Sequence, residues 1–158
     1  MKIFLLRIWK WLPFWMQKFF YRILLPSFQV FAAAVILNPK KQILLGKTTY
    51  QRTHPWGLLG GGLNLGEDPE QGVVREMLEE TGLKVEVKKL IMAKNSRARD
   101  QIGLFYLCEL QDGEFCPSDE ISEIAYFDVD HLPDVYPSDI ALLKLLMERV
   151  EETGNELA

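Results

Sequence analysis

Residues 68–82 can form little other than a short helix with fixed ends, and that helix carries the least ordinary charge pattern in the chain. Asp68 is a good N-cap, and Pro69 suits the first helical position, where its missing N–H costs nothing. Gln71 stands three residues after the cap, where it can complete a capping box. Gly82 ends the helix, because glycine tolerates the left-handed conformation that closes a last turn. Between these ends Glu76, Glu79 and Glu80 fall at i, i+3 and i+4, so their carboxylates share one face. Like charges at that spacing destabilise a helix by about 0.2–0.5 kcal/mol per pair. Glu79 and Glu80 also occupy the last turn, where the helix dipole favours cations.

A solvated acidic face is the ordinary reading of a glutamate cluster. This one opposes two local rules at once, which is the behaviour expected of a site. A divalent cation held by Glu76, Glu79 and Glu80 would remove the conflict. Arg75, one turn before Glu79, can hold one carboxylate in place and offset its charge. Gly60, Gly61 and Gly62 allow close backbone approach, so the Gly61 carbonyl is a further candidate ligand. All-oxygen ligation suits Mg²⁺ or Mn²⁺ better than zinc. A hard dication beside a spare carboxylate base is equipment for attack of water on a phosphoanhydride.

Gly61, then five residues, Glu67, then seven, then Arg75-Glu76-Met77-Leu78-Glu79-Glu80-Thr81-Gly82-Leu83 resembles the full box of the Nudix hydrolases. A looser similarity runs from about Phe28 to about Val150. The resemblance implies an α/β (α+β) fold, a mixed β-sheet sandwiched between helices. It also implies divalent metal on the carboxylates of Glu76, Glu79 and Glu80, with Arg75 orienting the helix glutamates. Glu120, just before a strand, matches a position that gives many relatives a further metal contact or the base, and Glu123 is the fallback. Tyr136 and Asp139, in a Tyr-Pro-Ser-Asp stretch, resemble a segment that stacks on and hydrogen-bonds a base in relatives acting on damaged nucleotides. Arg97 and Arg99, in a loop after the box, are candidates to grip phosphate. One departure is Leu59, where the family usually has Pro before the paired glycines; it removes no ligand.

Composition matters mainly at the N-terminus. The 158 residues suit one domain and are too few for two ordinary ones. No Asp or Glu precedes Glu67, and residues 1–29 hold five of the 18 basic residues: Lys2, Arg7, Lys10, Lys18 and Arg22. The rest of the chain carries 13 basic against 22 acidic residues. A cationic head on an acidic body is a partner signal. Three of the four tryptophans, Trp9, Trp11 and Trp15, lie in the same head. On a helical wheel Arg7, Lys10, Lys18 and Arg22 cluster, while Leu5, Ile8, Leu12, Trp15, Met16, Phe19 and Ile23 face away. Charges interrupt the run too often for a spanning helix. Residues 1–27 therefore read as an extra amphipathic helical segment, split at Pro13, that meets an anionic membrane surface, a second subunit or the domain itself.

Residues 28–152 read as the catalytic domain and 153–158 as a frayed end. Strands are expected at Gln29–Leu37, Gln42–Gly46, Lys84–Ala93, Ile102–Leu110 and Ala125–Phe127, with a polar loop over 95–100. A closing amphipathic helix is expected over Pro137–Glu152, its apolar positions being Ile140, Leu143, Leu146, Met147 and Val150. Cys108 and Cys116 show neither ligand spacing nor a disulfide framework, so a reduced cytoplasmic setting is the default, with the inner face of the membrane the second place. His54 and His131 read as structural or surface residues. The function expected is metal-dependent hydrolysis of a phosphoanhydride in a nucleoside diphosphate linked to another moiety, with no stable nucleic-acid partner. The alternatives are a non-catalytic ligand sensor on the same fold and a membrane-surface interaction protein.

Overall fold

A computed structural model describes residues 12–24, 27–96 and 100–156. At its centre lies β1 (Gln29–Ile36), whose small residues Ala32, Ala33 and Ala34 let neighbours approach closely on both faces. The strand pairs antiparallel with β4 (Leu59–Gly62) on one edge and parallel with β6 (Gln101–Asp112) on the other. The outer strand β5 (Lys84–Ser96) runs antiparallel to β6, giving a mixed sheet in the order β4-β1-β6-β5. A second, antiparallel sheet has the order β3-β2-β7, from Trp56–Gly57, Ile43–Thr48 and Ile121–Phe127.

Two helices cover opposite faces. The first, α2 (Pro69–Thr81), buries Val73 and Met77 against Ala32, Ala34, Leu59, Tyr106 and Cys108. The other, α3 (Pro137–Glu156), buries Leu143, Leu146 and Met147 against Ala33, Val35, Ile43, Leu45 and Phe105. The expected mixed sheet between helices is present, with the strands divided into two sheets. A separate helix, α1 (Phe14–Leu24), begins directly after Pro13, whose carbonyl accepts the Met16 and Gln17 N–H groups.

Several element ends differ from the sequence expectation for identifiable reasons. β5 runs on to Ser96 and β6 starts at Gln101, because Asn95 and Ser96 pair with Ile102 and Gln101 where periodicity gave no sign. A register shift between Val87 and Lys89 breaks the alternation and leaves Leu90 exposed. β7 begins at Ile121, four residues early, where the strand pairs with Thr48 of β2. α3 extends to Glu156, and Ile140, expected in its apolar face, is exposed. Asp68 has the extended backbone of an N-cap but makes no side-chain cap hydrogen bond; the Gly72 N–H bonds its carbonyl instead. Gly82 closes α2 at φ 72°, its N–H donating to Leu78 O. Cys108 is buried and Cys116 exposed, and both are free.

Candidate active site

Arg75 organises the acidic face of α2. Its Nε and Nη2 grip Glu67 at 2.7 and 3.0 Å, a bidentate pair of the geometry guanidinium favours. Nη2 also donates to Gly62 O at 3.0 Å, tying helix to β4. Nη1 reaches Glu76 at 2.8 Å and Glu79 at 3.0 Å. Glu67 additionally accepts the Asn64 N–H at 2.8 Å. Those bonds to Arg75 and Asn64 hold its carboxyl down at about 2, while the bonds to Glu67, Glu76 and Glu79 push the Arg75 pKa up. The like-charge conflict on the helix is thus partly answered within the protein.

Glu80 is not relieved in this way. Burial, then the charges of Glu76 and Glu120, push its carboxyl up to about 7, against the opposing effects of the Gly60 N–H and Arg75. Its Oε2 is buried with no hydrogen-bond partner. A buried carboxylate oxygen without a donor is costly and calls for an explanation.

The glycines earn their places by close approach. A Cβ on Gly61 would overlap the Glu76 carboxylate, and one on Gly60, at φ 143°, would run into the Ala32 carbonyl. β4 thereby lies flat against β1 (Ala33 opposite Gly60, Ala32 opposite Gly61) and beneath the helix carboxylates. Glu120 comes near from another element. Its backbone carbonyl accepts the Thr49 N–H at 2.9 Å, and its charge acts on both Glu80 and Tyr50. Glu123 is on β7, ion-paired with Lys47 at 3.2 Å.

Among the described residues no three His, Cys, Asp or Glu side chains converge closely enough to hold a metal ion as they stand, and Arg75 pairs with oxygens of Glu76 and Glu79. The donor set nevertheless fits a hard cation. Glu80 Oε2 lacks a donor, the Glu76 carboxylate lies against Gly61, and every candidate atom is oxygen.

Beside this acidic edge opens a cleft of about 490 Å³. Gly60 and Tyr50 belong to its lining, and so do Trp56, Phe105, Tyr136 and Asp139. The fold brings Tyr136 and Asp139 to one cleft that Gly60 also lines. Arg97 and Arg99 lie outside the described residues. Tyr50, Asn95 and Gln101 also line the cleft and carried no sequence signal, coming from a non-periodic loop and from strand ends. His54 stands at the surface and joins two segments. Its Nδ1 meets Asp134 at 2.6 Å, its N–H donates to the same carboxylate, and its ring packs 5.0 Å from Tyr136. This clasp ties the loop before β3 to the segment that carries Tyr136.

Comparison with known proteins agrees with this geometry. The NUDIX domain family matches residues 27–146. A MutT-like protein of Streptomyces ambofaciens is 31% identical over 109 residues, 69% of this chain and 70% of that protein. An ADP-ribose pyrophosphatase of Methanocaldococcus jannaschii is 34% identical over 106 residues, 62% of this chain and 61% of its own length. Among solved structures, an ADP-ribose pyrophosphatase from Streptococcus suis aligns with a TM-score of 0.66 at 29% identity, covering 77% of this chain and 91% of that one. With most of its length matched and the acidic helix in place, the chain belongs to the NUDIX domain family of hydrolases.

Proposed function

We propose that this hydrolase cleaves the pyrophosphate bond of a nucleoside diphosphate joined to a further group, with Mg²⁺ or Mn²⁺ held by Glu76, Glu79, Glu80 and the Gly61 carbonyl. The observation that carries the reading is the buried, unpartnered Glu80 Oε2 set among two other carboxylates. When bound, such a cation polarises phosphate and lowers the pKa of water. Arg75, clamped by Glu67, fixes the direction of the Glu76 and Glu79 carboxylates. Glu120, supplied from the neighbouring loop, serves as an added ligand or as the base that takes the proton of the attacking water.

The nucleoside end enters the cleft, where the Tyr136 ring offers a stacking surface and Asp139 a hydrogen-bond acceptor. Arg97 and Arg99 grip phosphate in this reading. Two of the relatives above are ADP-ribose pyrophosphatases, and ADP-ribose has this chemical form. Free cysteines, one of them buried with its thiol pushed up to about 12, fit a reduced cytoplasmic setting.

The experiment is formation of nucleoside monophosphate, read by chromatography or as phosphate freed from the products by an added phosphatase, from a panel of nucleoside diphosphate sugars, dinucleotides and nucleoside triphosphates, with and without chelator. Turnover should vanish in chelator and return with Mg²⁺ or Mn²⁺. Glu79→Gln and Glu80→Gln should each lower it by at least ~10²-fold. Full turnover in chelator, or near-normal activity in both variants, would overturn the assignment.

A further inference from the structure

α1 plays no part in the chemistry above, yet it displays an apolar surface that a solvated helix would not keep. Phe14, Trp15, Ile23 and Leu24 are each more than 60% exposed, and Phe19 and Tyr21 more than half. Lys18 lies among them, with its Nζ 5.0 Å from the centre of the Phe14 ring. Exposed single apolar residues are ordinary, but Trp15, Phe19 and Ile23 fall at i, i+4 and i+8, so one face of the helix carries an exposed apolar stripe that marks an interaction surface.

Charge selects the partner. All nine basic residues of the first 66 stand without one acidic residue, whereas all 22 acids follow. A groove on a protein would be matched by an apolar stripe with polar flanks. Here aromatic rings and a lysine are interleaved, and Trp and Tyr are the side chains that favour the headgroup level of a bilayer. No helix among the described residues is long and apolar enough to cross a membrane. We propose that α1, with Lys18 and the positive charge that the N-terminal sequence carries, binds reversibly to an anionic lipid surface. The acidic body is repelled by the same surface, so the head alone carries the attachment.

The test uses the intact protein with vesicles of phosphatidylcholine, with or without phosphatidylglycerol. It should co-sediment with the phosphatidylglycerol vesicles at low salt and release at high salt, with a blue shift in tryptophan emission. The double variant Trp15→Glu/Phe19→Glu should bind at least about tenfold more weakly. Its melting curve should be unchanged, since both side chains are exposed. The proposal is overturned if the intact protein stays in solution at low salt, if pure phosphatidylcholine vesicles bind it equally well, or if the double variant binds undiminished. A change of oligomeric state in the variant, without vesicle binding by the intact chain, would instead identify a second copy as the occupant.

Discussion

Glu80 and Glu67 sit on one acidic edge, yet their pKa values move in opposite directions, and each shift has its own pH window. Glu67, held at about 2 by Arg75, contributes stability present above the ordinary 4.5 and lost as pH falls toward 2. Glu80 stands at about 7, so between pH 4.5 and 7 the folded protein binds more protons here than the unfolded chain. Stability from this residue is therefore lost as pH rises through that window. In chelator, Glu80→Gln should melt increasingly above the wild type from about pH 4.5 to about pH 7, the range between its ordinary and shifted values. Added divalent cation should close the gap. A difference that stays flat with pH would show that Glu80 ionises freely in the folded protein. The neighbouring glycines separate stability from activity in the same way. Gly61→Ala displaces the Glu76 carboxylate and should cost up to ~10²-fold in turnover while the fold survives. Gly60→Ala strains the backbone at φ 143° and meets the Ala32 carbonyl, so its melting temperature should fall first.

Among the elements, α2 was the most legible, because its ends and its charges are written in local residue types. Pro69, Gly82 and the spacing of Glu76, Glu79 and Glu80 each act over a few residues, so the sequence alone places them. The cap at Asp68 was legible in position but not in chemistry, since its side chain makes no cap bond. The cleft was only partly legible. Tyr136 and Asp139 stood out through a resemblance, while Tyr50, Asn95 and Gln101 meet them only after strands far apart in sequence have paired. Polar strand ends such as Asn95–Ser96 look like loop in the sequence because their partners lie across the ladder and leave no period. One closing device of α2 carries no sequence signal. Thr81 is fully buried; its hydroxyl donates to Met77 O and accepts the Leu83 N–H at 3.2 Å. Thr81→Val keeps the volume but orphans that N–H, and should cost about 1–3 kcal/mol in denaturant unfolding. A loss near zero would mean the Leu83 N–H finds another partner.

At the scale of the molecule, β1 joins two cores that serve different ends of the site. Ala32, Ala34 and Ile36 face α2 and the carboxylates, while Ala33 and Val35 face α3. One strand contributing alternate residues to both layers makes independent unfolding of either layer improbable, because losing one face strips β1 of half its packing. Met77 and Leu146 are fully buried on opposite sides. Met77→Ala and Leu146→Ala should each cost about 2–5 kcal/mol, and each should unfold in a single transition by both far-UV and tryptophan signals. Their effects on turnover should differ below the melting range. Met77 lies next to Glu76 on the helix that carries Glu79 and Glu80, so the cavity it leaves lets those carboxylates shift, and turnover should drop. Leu146 lies behind the opposite layer, and its loss should leave turnover closer to normal while loosening the cleft wall formed by Leu142 and Leu143, a change read as a higher KM. Two separated transitions in either variant would show that the layers fold independently, and equal losses of turnover would show that the carboxylates do not depend on the packing beneath α2.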